Sequence, residues 1–130
     1  ISSSFTNQIV ISPVVPMKFG KVVSYDPPDS GSAAIDIQNV LPDSVRVVSA
    51  YHNIPAKGLA NFQKPLDYDV VICGNDDEAK AIVSKLTEEM PSLKAIDAGP
   101  LEISSMIEAI TPLIINMNKK HKHEFSIKFI

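Results

Sequence analysis

At 130 residues, with 45% apolar and 21% charged side chains, the chain is one ordinary domain, large enough to bury a core and too apolar to be disordered. A formal charge of −3 offers no field for a nucleic-acid backbone, and no apolar run reaches the roughly 20 residues of a membrane span. One cysteine, Cys73, makes no internal disulfide and suits a reducing, cytoplasmic setting; the first residues carry no signal-peptide pattern.

The chain opens on Ile1 rather than methionine, with a polar Ser2-Ser3-Ser4 lead. It reads as the back part of something longer, a trimmed product being equally compatible. Gln8-Ile9-Val10-Ile11-Ser12 is a short apolar run closed by Pro13, the pattern of a buried strand. Pro13 and Pro16 push their predecessors into extended geometry, so the stretch ending at Met17 is not helix. Residues 18–31 read as a loop, with Pro27-Pro28-Asp29-Ser30-Gly31 as its turn chemistry. Residues 32–41 form a short helix capped by Ser30 or Ser32 and stopped by Pro42.

Residues 45–51 are a second buried strand, running into His52-Asn53-Ile54-Pro55-Ala56. After a loop over 58–69, Val70-Val71-Ile72-Cys73-Gly74 is a third strand. Asn75 is expected to cap the next helix, Glu78 to close a capping box, and Ala79, Ile82, Val83, Leu86 and Met90 to supply its buried stripe. Residues 93–97 are a fourth strand, and residues 125–130 alternate as a terminal one. Alternation of strand and helix argues for an α/β fold with helices packed on a mostly parallel sheet.

Between the last two strands, a Gly99-Pro100 turn opens a long helix, apolar around most of its circumference and so expected to lie buried between two layers. Pro112 removes one backbone donor inside it and its ring crowds the carbonyl of Glu108, so the helix is expected to kink there. Ser104, Glu108, Thr111 and Asn118 share one face. That stripe is either a set of core polar groups with backbone partners or the wall of a cavity for a planar polar ligand.

Little in these residues supports a reaction. The five glycines are too scattered for a dinucleotide or Walker loop, and Gly74-Asn75-Asp76-Asp77 would repel a phosphate. Cys73 ends an apolar strand, where a thiol is ordinary packing. His52 stands at a strand end before a proline-fixed turn, a position that carries function in α/β proteins, though one histidine alone specifies nothing. His121 and His123, among Lys119, Lys120 and Lys122, read as cations complementing a helix end rather than metal ligands. Asp97 before Gly99 accepts turn N–H groups.

The turns themselves are distinctive. Ile9-Val10-Ile11-Ser12-Pro13-Val14-Val15-Pro16 and Val47-Val48-Ser49-Ala50-Tyr51-His52-Asn53-Ile54-Pro55-Ala56 resemble the F420-dependent NADP oxidoreductase family. So do Cys73-Gly74-Asn75-Asp76-Asp77-Glu78-Ala79-Lys80, Asp97-Ala98-Gly99-Pro100-Leu101, Ile110-Thr111-Pro112-Leu113-Ile114 and the closing Ile127-Lys128-Phe129-Ile130, in the family's order. The resemblance implies an α/β fold: the end of a Rossmann-type parallel sheet plus a small α/β cofactor-closing domain, without the N-terminal GxGxxG half. It implies hydride transfer between reduced coenzyme F420 and NADP, with both cofactors carrying their own reactivity, and a homodimer.

Carried over by position, His52 would stand at the junction of the two rings, lined also by Asn53, Ile54 and Pro55. The backbone N–H of Met17 and the carbonyl of Ala56 would meet the nicotinamide amide, and the N–H of Ile54 the deazaflavin edge. Thr111 would offer its hydroxyl to the same rings, and Glu124-Phe125 would close the far side. Ala109, Ser105 and Ile35 depart from the serine, arginine and glutamate usual there, and the loss of a hydroxyl and a guanidinium removes deazaflavin contacts. Two further readings share these residues: a non-catalytic dimerisation or ligand-binding remnant, and a related reductase using flavin or another electron partner.

Overall fold

The computed structural model describes residues 7–53 and 67–130. Four strands make the main sheet: β1 (Ile9–Ser12), β4 (Arg46–Ser49), β5 (Tyr68–Gly74) and β6 (Leu93–Gly99), in the order β1-β4-β5-β6. β4 lies parallel to β1 and β6 parallel to β5, but β4 and β5 run antiparallel, pairing Val48 with Gly74 and Ser49 with Cys73. The mostly parallel sheet expected from the alternation is present, with one reversal inside it.

Two more strands, β2 (Met17–Lys18) and β3 (Ser24–Tyr25), form a small antiparallel hairpin. The sequence there reads as plain loop, because two-residue strands leave no alternation to detect. Among the described residues three helices complete the order: α1 (Ala33–Val40), α2 (Asp77–Glu88) and α3 (Ser104–His121), the last entered through a 3-10 turn at Leu101–Ile103. Residues 125–130, expected as a strand, form no assigned strand. They run beside β5, held where Asp69 N–H donates to Ile127 O (3.0 Å) and Phe129 N–H to the Asp69 carboxylate.

Burial explains the layering. Val48, Val70, Ile72, Ala79 and Val83 make one core between the sheet and α2; Val71, Cys73 and Ile107 make another beneath α3. Ser32 caps α1 by accepting from Ile35 N–H. Asp76, not Asn75, caps α2, accepting from Ala79 N–H at 2.8 Å. Asn75 is used instead to tie two loops, its Oδ1 accepting from Leu101 N–H at 3.0 Å.

α2 is also rolled relative to its expected stripe. Ala79, Lys80, Val83 and Thr87 face inward, while Ile82 and Leu86 are exposed. The turn is set by Lys80, whose ammonium reaches Asp97 Oδ1 at 3.0 Å. That same oxygen accepts Gly99 N–H at 2.8 Å, the turn role expected of Asp97, where Gly99 holds φ +114°.

α3 corrects a second expectation. Ser104, Ile107, Glu108 and Pro112 are buried, yet Met106 and Leu113 stand open. The helix lies on the sheet with one apolar face uncovered, rather than between two layers, because no element of the described chain packs outside it.

Candidate functional site

Assembly of the site starts at the end of β4. Tyr51 adopts φ 69°, a left-handed conformation that costs a bulky residue of order 1–3 kcal/mol. It is held there by its hydroxyl, 2.6 Å from Thr87 Oγ1 on α2. The chain therefore turns sharply after the strand, and His52 and Asn53 enter the interior, both more than nine-tenths buried.

His52 is fixed through its backbone: Thr111 Oγ1 on α3 donates to its carbonyl at 2.8 Å. Among the described residues, neither ring nitrogen of His52 has a hydrogen-bond partner. Burial pushes its pKa down to about 4, so the imidazole is neutral at pH 7, with one N–H and one lone pair to offer. Asn53 donates from Nδ2 to Asp69 O at 2.9 Å, while its Oδ1 has no partner among the described residues. Unmet buried acceptors of this kind are rare enough in folded proteins to require a reason.

Both residues border a cavity of about 210 Å³ lined by His52, Asn53, Thr111, Ile114, Ile115, Asn118, Glu124 and Phe125. Asn118 shapes the far wall, since its Oδ1 accepts from Phe125 N–H at 2.8 Å and folds the terminal segment back over α3. Lys122, in the left-handed region at φ 50°, makes that reversal, and Phe125 packs edge-on against His121 and His123. Among the described residues no group of His, Cys, Asp and Glu is placed to hold a metal ion.

Of the residues singled out in the sequence, His52, Asn53, Thr111 and Phe125 converge on this one cavity. Thr111 differs in detail, because its hydroxyl hydrogen is committed to the His52 carbonyl and only its lone pairs remain. Met17 lies in the β2–β3 hairpin, half-buried and paired with Tyr25, and is not among the residues that line the cavity. Ile54, Pro55 and Ala56 lie outside the described residues. A second, more open hollow of about 520 Å³ sits beside the hairpin, between Pro16, Pro28 and the α1 residues Ala33 and Ile37.

The polar stripe of α3 resolves into fasteners and cavity wall. Ser104 Oγ meets Ser49 Oγ at 2.7 Å. The fully buried Glu108 carboxylate accepts from Ala33 N–H (2.9 Å), Ala34 N–H (3.2 Å) and Tyr25 O–H (2.9 Å), so it caps α1 and anchors the hairpin together. Burial and that carboxylate push the Tyr25 pKa far up. Asn116, which nothing in the sequence singles out, copies a strand partner: its Nδ2 donates to Val23 O (2.7 Å) and its Oδ1 accepts Val23 N–H (2.8 Å).

No family model matches the chain. It is 49% identical over 96 residues to the F420-dependent NADP reductase of Methanocaldococcus jannaschii, covering 74% of this chain and 42% of that protein. The reductase of the same name from Methanothermobacter marburgensis is 34% identical over 126 residues, 94% of this chain and 56% of that one. The chain thus spans about half the length of the curated relatives it matches. In fold it is similar to the crystal structure of a candidate F420-dependent NADP reductase from Arthrobacter sp. FB24, with TM-score 0.83 and 21% identity over 98% of this chain and 61% of that one. A hypothetical protein from Sinorhizobium meliloti shares the fold at TM-score 0.60 and 23% identity, over 78% of this chain and 49% of that one. At 34% identity over 94% of its length, and 49% over 74%, the chain belongs to the F420-dependent NADP reductase family.

Proposed function

We propose that these residues are the C-terminal, ring-closing part of an oxidoreductase that moves hydride between reduced coenzyme F420 and NADP. The carrying observation is the cavity bordered by a neutral, buried imidazole and an amide oxygen that have no partner among the described residues. Such a wall fits an uncharged planar ring bearing its own N–H and C=O groups, and it disfavours a free phosphate, which would find no cation among the described lining residues. His52 and Asn53 would hold the ring edge, while Ile114, Ile115 and Phe125 would exclude water. When bound, the deazaflavin and nicotinamide supply the redox chemistry, so the protein needs no nucleophile or acid–base pair.

The 130 residues contain no glycine-rich phosphate loop, so hydride transfer is proposed for the longer protein that supplies one, and not for this chain alone. A cytoplasmic location agrees with the single buried thiol, and no described helix is long and apolar enough to cross a membrane. The test is single-turnover reduction of NADP by reduced F420 in the intact enzyme. His52→Ala should slow it at least tenfold with an unchanged far-UV spectrum; an unchanged rate would remove His52 from the ring junction.

A further inference from the structure

Side chains along β4 alternate between the two faces of the sheet. Val47 lies against α1 and Ser49 meets Ser104 of α3, while Val48 and the next residue but one, Ala50, lie in the core beneath α2. Extended backbone past Ala50 would send Tyr51 to the α3 side and His52 to the α2 side. The reverse is found. Tyr51 packs with Ala50 against the α2 core, and His52 borders the cavity with Thr111 and Ile114 of α3. The left-handed step at Tyr51, φ 69°, is the slip in phase that exchanges them. An irregular residue in a bulged strand re-aims the side chains beyond it in the same way.

A bulky residue does not rest in that conformation unaided. What fixes it belongs to α2. Thr87 is fully buried, and its hydroxyl hydrogen is committed to the Val83 carbonyl at 2.8 Å. The 2.6 Å contact is therefore donated by the Tyr51 O–H and accepted by Thr87 Oγ1. Beside the ring lies an open hollow of about 360 Å³ lined by Tyr51, Leu86, Glu89 and Met90. A Tyr51 hydroxyl deprived of Thr87 can turn into this hollow and meet water, and the strained step is then free to relax.

We propose that Thr87 is a positioning residue: from the opposite face of the sheet, and without lining the cavity, it holds the Tyr51 step that delivers His52 and Asn53 to the α3 side. Its effect on hydride transfer rests on the reading of His52 as the ring-junction residue. Its effect on where the imidazole stands does not.

The first measurement is an NMR titration of the His52 imidazole in the 130-residue chain, assigned by its loss in His52→Leu. Thr87→Val keeps the shape of the side chain and removes the acceptor. It should raise the proton affinity of the imidazole about tenfold, moving the midpoint up from about 4. Thr87→Ser keeps the acceptor and should hold the wild-type midpoint, as should Val83→Ala, which loosens the same core without touching the bond. Tyr51→Phe breaks the bond from its other end and carries the test if Thr87→Val does not fold. Its shift should match, and the two changes together should do no more than either alone. An unmoved midpoint in Thr87→Val and Tyr51→Phe would overturn the proposal, as would an equal shift in Val83→Ala or in Thr87→Ser. In the intact enzyme, Thr87→Val should slow single-turnover NADP reduction about tenfold and Thr87→Ser should not. A displaced imidazole with an unchanged rate would refute the ring-junction reading and uphold the positioning.

Discussion

Acidification tests the buried imidazole directly. His52 has a pKa of about 4 in the folded chain against 6.5 in an unfolded one, because burial disfavours its cation. Between those values the unfolded chain takes up a proton that the folded chain refuses, so stability falls as pH drops through 6.5 and the loss levels off below 4. A tenfold change in proton affinity is worth about 1.4 kcal/mol. The penalty therefore comes to about 2 kcal/mol at pH 5 and about 3 kcal/mol at pH 4. Urea unfolding followed by far-UV circular dichroism, from pH 7.5 to 4.5, would measure it for the wild type and for His52→Leu. Every other ionisable group is common to the two proteins, and subtraction removes its contribution. The wild type should lose about 2 kcal/mol more than the variant on going from pH 7.5 to 5. Equal losses in the two proteins would mean that His52 titrates as a free imidazole, and the account of a dry, neutral cavity wall would fail with it.

Two substitutions probe the scaffold around the cavity. Glu108→Gln preserves shape but turns an amide N–H₂ toward donors now served by a carboxylate, and should cost about 1–3 kcal/mol in urea unfolding; a neutral outcome would mean the three bonds contribute nothing. Asn116→Ala removes both bonds to Val23 and should raise hydrogen exchange at the Val23 amide at least tenfold while leaving the β5 amides protected.

Local pattern made some of this architecture readable and hid the rest. Strands at residues 9–12 and 70–74 announce themselves as apolar runs closed by proline or glycine, and the Ser32 cap by its position before Ala33-Ala34. His52 and Asn53 could be singled out because a strand end before a proline-fixed turn is where side chains leave the sheet. The shared face of Ser104, Glu108, Thr111 and Asn118 follows from helical periodicity alone. The partners of that face do not, since Glu108 bonds residues 74 and 75 positions away in sequence. Strand direction is equally invisible locally, because a run of Val and Ile reads the same in either orientation. Asn116 gave no signal, being one polar residue among neighbours of every kind. The roll of α2 depended on a lysine that burial statistics would place outside, and only the distant Asp97 draws it in.

Reversal between β4 and β5 has a geometric result that an all-parallel arrangement could not give. Where neighbours run the same way, everything leaving the sheet at its carboxyl edge meets other departing chain, and the hollow is walled by loops alone. Here the departing end of β4 abuts the arriving end of β5. Continuing the register that matches Ser49 with Cys73 brings Asn53 level with Asp69, where the two do bond. Asp69 also carries the closing segment, through Ile127 and Phe129. Floor and roof of the hollow are thereby pinned to one residue on a rigid strand, so its width is set by the sheet and not by the length of any connecting loop.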